Sequence, residues 1–265
     1  MHPVERLRAL ARAGPLEHAV LVREGALALG ALSADHAGLL LSCRRLLHHH
    51  PASGPLRWLC ARVLSSDDPR REAWRCMEEI ATDPTAGRLE VELPEAATVV
   101  VLGWPEVVGE ALVRRGDLRP LVVDALGEGS QLVERLWDNG VEAAEVDEGG
   151  LGPAVAAADL VVLEAAALGP EGFVAVPGAR AAAAVARCAG LPVWLVAGAG
   201  RVLPRGLWSS LVVALSAVAA EEPWAAQDEI VPLDLVDAVV RPSGLVRTAE
   251  LVSGPADCPD IPELL

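Results

Sequence analysis

The chain has 265 residues, 52% of them hydrophobic, which is enough apolar material for one large or two modest cores and excludes a disordered chain. It carries 37 acidic against 22 basic residues, a formal net charge of −15, and every basic residue is Arg. That balance repels phosphate backbones and anionic surfaces, so neither nucleic acid nor membrane is an expected partner.

The five cysteines, Cys43, Cys60, Cys76, Cys188 and Cys258, are scattered and form no CxxC pair, so the spacing indicates neither a disulfide framework nor a zinc site. No metal or cofactor is expected, and a reducing cytoplasm fits best. The first residues place charges among their apolar positions and lack a signal-peptide core. The weakly polar run 206–220 is broken by Ser209, Ser210 and Ser216 and falls short of the roughly 20 residues needed to span a bilayer. It reads as a buried or interface helix.

Residues 1–92 read as a helical N-terminal domain. Val4, Leu7, Leu10 and Ala11 share one helical face. A Leu/Ala-rich segment from 16 to 47 is interrupted at Gly25, Gly30 and the 33–35 step. Trp74, Met77, Ile80 and Ala81 repeat the helical spacing behind Asp68, a capping residue, and Pro69 in the first turn. His48, His49 and His50 precede Pro51. Adjacent histidines point in different directions and make a poor ligand set, so they read as a solvated helix end.

After the polar, proline-bearing stretch 82–94, residues 93–265 read as a Rossmann-like α/β domain, a parallel sheet with helices on both faces. Strands are expected at 98–102, 121–124, 141–146, 159–163, 191–196 and 235–240. Helices are expected at 106–115, 130–139, 151–157 and 178–188. Ligands of such sheets sit at the carboxyl ends of the strands, which directs attention to 103–105, 124–129, 164–178 and 197–201.

Gly127-Glu128-Gly129 opens a helix, and Glu145 and Asp147 follow about twenty residues later, which is two-thirds of a dinucleotide fingerprint. Leu132 replaces its third glycine, and the acidic Glu128 sits where a pyrophosphate would approach. Gly198-Ala199-Gly200-Arg201 offers backbone N–H groups and a guanidinium to an anion. Cys188 reads as core, and no His follows His50, so nucleophilic catalysis has little support. A carboxylate pair for acid–base work would draw on Glu164 and Asp124. Glu164 is the better candidate because it follows directly on an apolar strand.

The order strand, glycine-bearing loop, helix opened by Gly178, strand over residues 158–204 resembles one family. It joins the alpha, beta and delta subunits of translation initiation factor 2B with methylthioribose-1-phosphate isomerase and ribose-1,5-bisphosphate isomerase. The likeness covers about residues 93–248 and implies a homodimer with a sugar-phosphate pocket at the strand ends. The functional letters depart from it. Ala166 falls where the family's catalytic Asp is expected, and Ala175-Val176-Pro177-Gly178-Ala179 replaces its Asn-Lys-x-Gly-Thr step. Gly103-Trp104-Pro105 lacks its Cys, and Asp124-Ala125-Leu126-Gly127 lacks a phosphate-binding Arg. Three expectations follow. One is a degenerate, non-catalytic ligand-binding or regulatory member. Another is a sugar-phosphate isomerase with Glu164 as acid–base group and Arg180 or Arg201 holding phosphate. The third is a nucleotide-binding protein using Gly127 and Gly129. A translation-factor role is also implied by the resemblance.

Overall fold

The computed structural model describes residues 17–32, 35–219, 221–251 and 255–264, together with Glu5. The helical face expected at Val4, Leu7, Leu10 and Ala11 lies outside these residues.

Among the residues from 17 onward, five helices come first: α1 His18–Gly30, α2 His36–His49, α3 Gly54–Ser65, α4 Pro69–Ala81 and α5 Thr85–Glu92. Asp35, Ser53 and Asp68 cap α2, α3 and α4 by accepting from the N–H groups of Gly38, Leu56 and Arg71. Each cap contributes about 1 kcal/mol. Gly25 does not interrupt its segment as expected. It lies inside α1, where a Cβ would come within 3.2 Å of Leu56 and 3.3 Å of Leu59, so the glycine serves close packing of α1 on α3. The stretch 82–94, read as a polar connector, holds α5, whose Ala86 and Leu89 are buried.

The sheet begins with β1 Thr98–Leu102, followed by α6 Glu106–Arg115, β2 Arg119–Val123, α7 Gly129–Asp138, β3 Ala144–Val146 and α8 Leu151–Ala156. Then come β4 Leu160–Glu164, β5 Ala167–Leu168, β6 Gly172–Ala175, α9 Ala179–Ala189 and β7 Val193–Val196. The chain continues with α10 Arg205–Val218, β8 Glu229–Pro232, β9 Ala238–Arg241, β10 Gly244–Arg247 and α11 Thr248–Leu251. Seven strands form one sheet in the order β10-β9-β7-β4-β1-β2-β3. All pair in parallel except β10, which returns antiparallel on β9. The β1 side chains divide as the two-residue period requires. Val99 and Val101 pack with Leu112 of α6 and Leu132 of α7, while Val100 and Leu102 join Ala182 of α9 on the other face.

The segment 164–178, expected as a functional loop, instead contains β5 and β6. With β8 they make a second, three-stranded antiparallel sheet in the order β5-β6-β8. The helix expected at 206–220 is α10, and its Leu207, Trp208, Leu211 and Leu215 share a core with Leu29, Leu39 and Trp58 of the N-terminal helices. Cys188 is exposed, not core. In α9 the buried positions are Ala179, Ala182, Ala183 and Ala186, and that helical spacing turns residue 188 to solvent.

Candidate functional site

The strand order reverses between β1 and β4, so the loops leaving these strands part and open a crevice beyond their carboxyl ends. A cavity of about 830 Å³ lies there. Its walls come from the β1 exit (Leu102, Trp104, Glu106), the β4 exit (Glu164, Ala166), the α2–α3 connection (His49 to Ser53), Ala219 and residues from Glu221 to Asp228.

At its base stands a polar cluster. Arg201, 4% exposed, donates from Nη1 to Glu164 Oε1 at 2.8 Å and to the Ala165 carbonyl at 2.5 Å. The other Glu164 oxygen accepts from the N–H groups of Val107 and Val108, both at 2.9 Å, and so caps the first turn of α6. Glu106 begins that helix. Its Oε1 accepts from the His18 backbone N–H at 2.8 Å, while its Oε2 lies 3.9 Å from Arg201. His18 Nδ1 meets Ser53 Oγ at 3.2 Å.

Burial and the adjacent Glu164 push the Glu106 carboxyl up to about 7, against the opposing pull of Arg201 and the His18 N–H. Burial, then Arg201 and His50, hold the His18 imidazole down at about 3. His18 is therefore too weak a base to activate Ser53 near neutral pH, and their contact does not make a nucleophile. Glu106 is thus a cavity carboxyl that keeps its proton toward neutral pH.

Of the residues singled out in the sequence, Trp104, Glu164 and Arg201 line this cavity. Gly103 adopts φ +59° at the turn out of β1, a left-handed conformation suited to glycine, and its N–H donates to the Val123 carbonyl at 3.0 Å. Gly178, also left-handed at φ +91°, starts α9 beside Leu102. Asp124 is not among the cavity's lining residues and accepts from the Gly129 N–H at 2.8 Å, capping α7. Gly127 and Gly129 are outside the cavity wall, and so is Arg180, whose N–H and guanidinium meet Glu229 and the Ile230 carbonyl.

The turn formed by Gly198, Ala199 and Gly200 does present N–H groups to an anion, but the anion is internal. Ala199 N–H donates to Asp83 Oδ2 at 2.8 Å. Gly200 sits at φ +72°, and a Cβ there would lie 2.8 Å from the Trp58 ring, so the position admits only glycine. The same pattern recurs at α10, where Asp260 accepts from the Gly206 and Leu207 N–H groups.

Sequence reasoning missed Glu106, His18, Ser53 and Asp228 as wall residues. Glu106 carried a signal, since it directly follows the Gly103-Trp104-Pro105 strand exit, yet it read as the start of a helix. The histidine run is a helix end as expected, and His49 and His50 also face the cavity. Among the described residues no group of three or more side chains is placed to hold a metal ion. Also among the described residues, no helix is long and apolar enough to cross a membrane.

Fold and site together define a doubly wound α/β protein with a helical N-terminal layer and a cavity at the switch point of its sheet. No protein-family profile and no curated protein sequence matches the chain. Solved structures do. Translation initiation factor eIF-2B from Pyrococcus horikoshii OT3 superposes with a TM-score of 0.78 over 94% of this chain and 98% of its own, at 13% identity. The tetrameric eIF2B-beta2-delta2 complex from Chaetomium thermophilum gives 0.72 over 95% and 92%, at 20% identity. The 5-methylthioribose 1-phosphate isomerase of P. horikoshii OT3 gives 0.66 over 95% and 87%, at 13% identity. The chain has the fold that initiation factor 2B subunits share with this isomerase, as the sequence resemblance implied.

Proposed function

We propose that this chain is a non-catalytic, ligand-binding or regulatory protein on the initiation factor 2B fold, working through its strand-end cavity. One observation carries the reading: the backbone N–H groups with which this architecture would hold a phosphate are engaged by the chain's own carboxylates. Glu164 caps α6, Asp124 caps α7, Glu229 meets the first turn of α9, and Asp83 fills the turn after β7. A phosphate entering any of these places would have to displace an internal anion.

The positions where the resemblance puts isomerase groups support the same reading. Ala166, Ala175 and Val176 present no acid, amide or amine to the cavity they line. Arg201 spends its Nη1 donor on Glu164 and Ala165. A self-associating protein of a reducing compartment fits the exposed apolar side chains Val213, Val218 and Trp224 and the five free thiols.

A second reading, an isomerase with relocated groups, is favoured by Glu106 alone, since its carboxyl titrates near neutrality on the cavity wall. The test is incubation of the purified protein with 5-methylthioribose 1-phosphate and ribose 1,5-bisphosphate, followed by NMR. No conversion is expected. Turnover abolished by Glu106→Gln would establish the second reading in place of the first.

A further inference from the structure

The strand-end cavity carries a charge pattern opposite to that of a phosphate site. Six carboxylates line it, Glu106, Glu128, Glu164, Glu221, Glu222 and Asp228, against Arg201 as the guanidinium of its described wall. Arg201 is consumed by Glu164 at 2.8 Å. Four of the other carboxylates stand on the wall without a hydrogen bond or ion pair among the described residues, and of these Asp228 and Glu128 are half-buried while Glu221 and Glu222 are exposed. Asp228 is desolvated, and burial raises its pKa. Glu128 is raised by burial and by the neighbouring Asp124. Desolvating a carboxylate without a counter-charge is unfavourable, and a cation brought to it recovers that cost. The rest of the wall carries His18, His49, His50, Ser53 and Gln227 beside an apolar part, in which Leu21, Leu102, Trp104, Leu126, Val162 and Leu215 surround the same space. At about 830 Å³ the volume suits a small organic molecule rather than a bare metal ion.

We infer that the cavity binds an amine-bearing, cationic small molecule, its ammonium facing Asp228 and Glu128 and its apolar body lying against Trp104 and the leucines. The inference rests on the reading of this cavity as a binding site and gives the chemical class of the ligand. Glu221 and Glu222, exposed on the same segment as Asp228, supply a negative rim that attracts cations to the mouth.

The experiment uses the full chain and three probes, spermidine, benzylamine and ribose 5-phosphate, in calorimetric titration at two salt concentrations. Saturable binding of an amine is expected, weakened at least tenfold in the Glu128→Gln/Asp228→Asn variant, with no binding of ribose 5-phosphate. The variant removes unpaired charges and is expected to fold with an unchanged or higher Tm, which circular dichroism checks. Amine binding that is absent, or equally strong in the variant, overturns the inference, as does ribose 5-phosphate binding more tightly than either amine. NMR of the same mixtures separates the two readings. Chemical change of a bound amine would sink the non-catalytic proposal while upholding the ligand class, and phosphate-ester binding without change would do the reverse.

Discussion

The backbone N–H of His18 donates to Glu106 Oε1 at 2.8 Å, which ties the first turn of α1 to the first turn of α6 across the base of the cavity. The two residues answer pH in opposite directions. Glu106 holds its proton up to about pH 7 in the folded chain, against 4.5 ordinarily. Between those values the folded state binds more protons, so this group makes stability fall as pH rises. His18 titrates at about 3 against 6.5, so over that interval the unfolded state binds more protons and stability rises with pH. The opposing slopes overlap between pH 4.5 and 6.5. Urea melts from pH 4 to 8 should show Glu106→Gln steepening the rise and His18→Asn exposing the fall. The Gln variant should gain about 2 kcal/mol on wild type at pH 8 relative to pH 5. Variants whose profiles run parallel to wild type would refute this assignment.

The pair of Glu164 and Arg201 is 9% and 4% exposed, so either charge left alone would be stranded. Arg201→Met is expected to cost about 3–5 kcal/mol, because Glu164 then keeps only the α6 N–H groups. Glu164→Gln should cost less, since its amide oxygen can still accept from Val107 or Val108. The double variant should cost at least 1 kcal/mol less than the sum of the singles, as expected for coupled partners. Additive losses in denaturant titrations would show that the two side chains do not support each other.

Gly200→Ala should cost about 2–4 kcal/mol, combining a left-handed backbone with a new methyl 2.8 Å from the Trp58 ring. Trp58 is almost fully buried, and its Nε1 donates to the Asp257 carbonyl at 3.1 Å, so the ring has little room to yield. A thermal midpoint within 2 °C of wild type would mean that the turn relaxes freely.

The sheet was legible because its strands are short β-branched runs set off by glycine and proline, and 98–102 and 106–115 match β1 and α6 residue for residue. What the sequence hid was set by long-range geometry. His18 and Glu106 are 88 positions apart, and nothing local indicates that they touch. The glycine turns at 127–129 and 198–201 did signal N–H groups ready for an anion. That Asp124 and Asp83 would occupy them depended on the fold, since Asp83 lies 116 positions from Ala199. Cys188 was misplaced for a simpler reason: Arg180 and Arg187 mark the solvent face of α9, and Cys188, next to Arg187, lies on that exposed side despite the usual preference of a thiol for burial.

The outer face of α10 should carry self-association. Residues 206–220 contain no charged side chain, and while Leu207, Trp208, Leu211 and Leu215 point inward, Val213, Ala217 and Val218 are left to solvent. Trp224 stands nearby in the chain at 81% exposure. For a chain with net charge −15, contact through most of its surface sets like charges against each other, and an uncharged apolar face is where two copies meet at least cost. Sedimentation velocity should therefore give a dimer mass for the wild type. Val213→Glu and Trp224→Glu should each shift it toward monomer, with little change in Tm because neither side chain is part of the core. A monomeric wild type, or variants that sediment as it does, would remove this face from consideration.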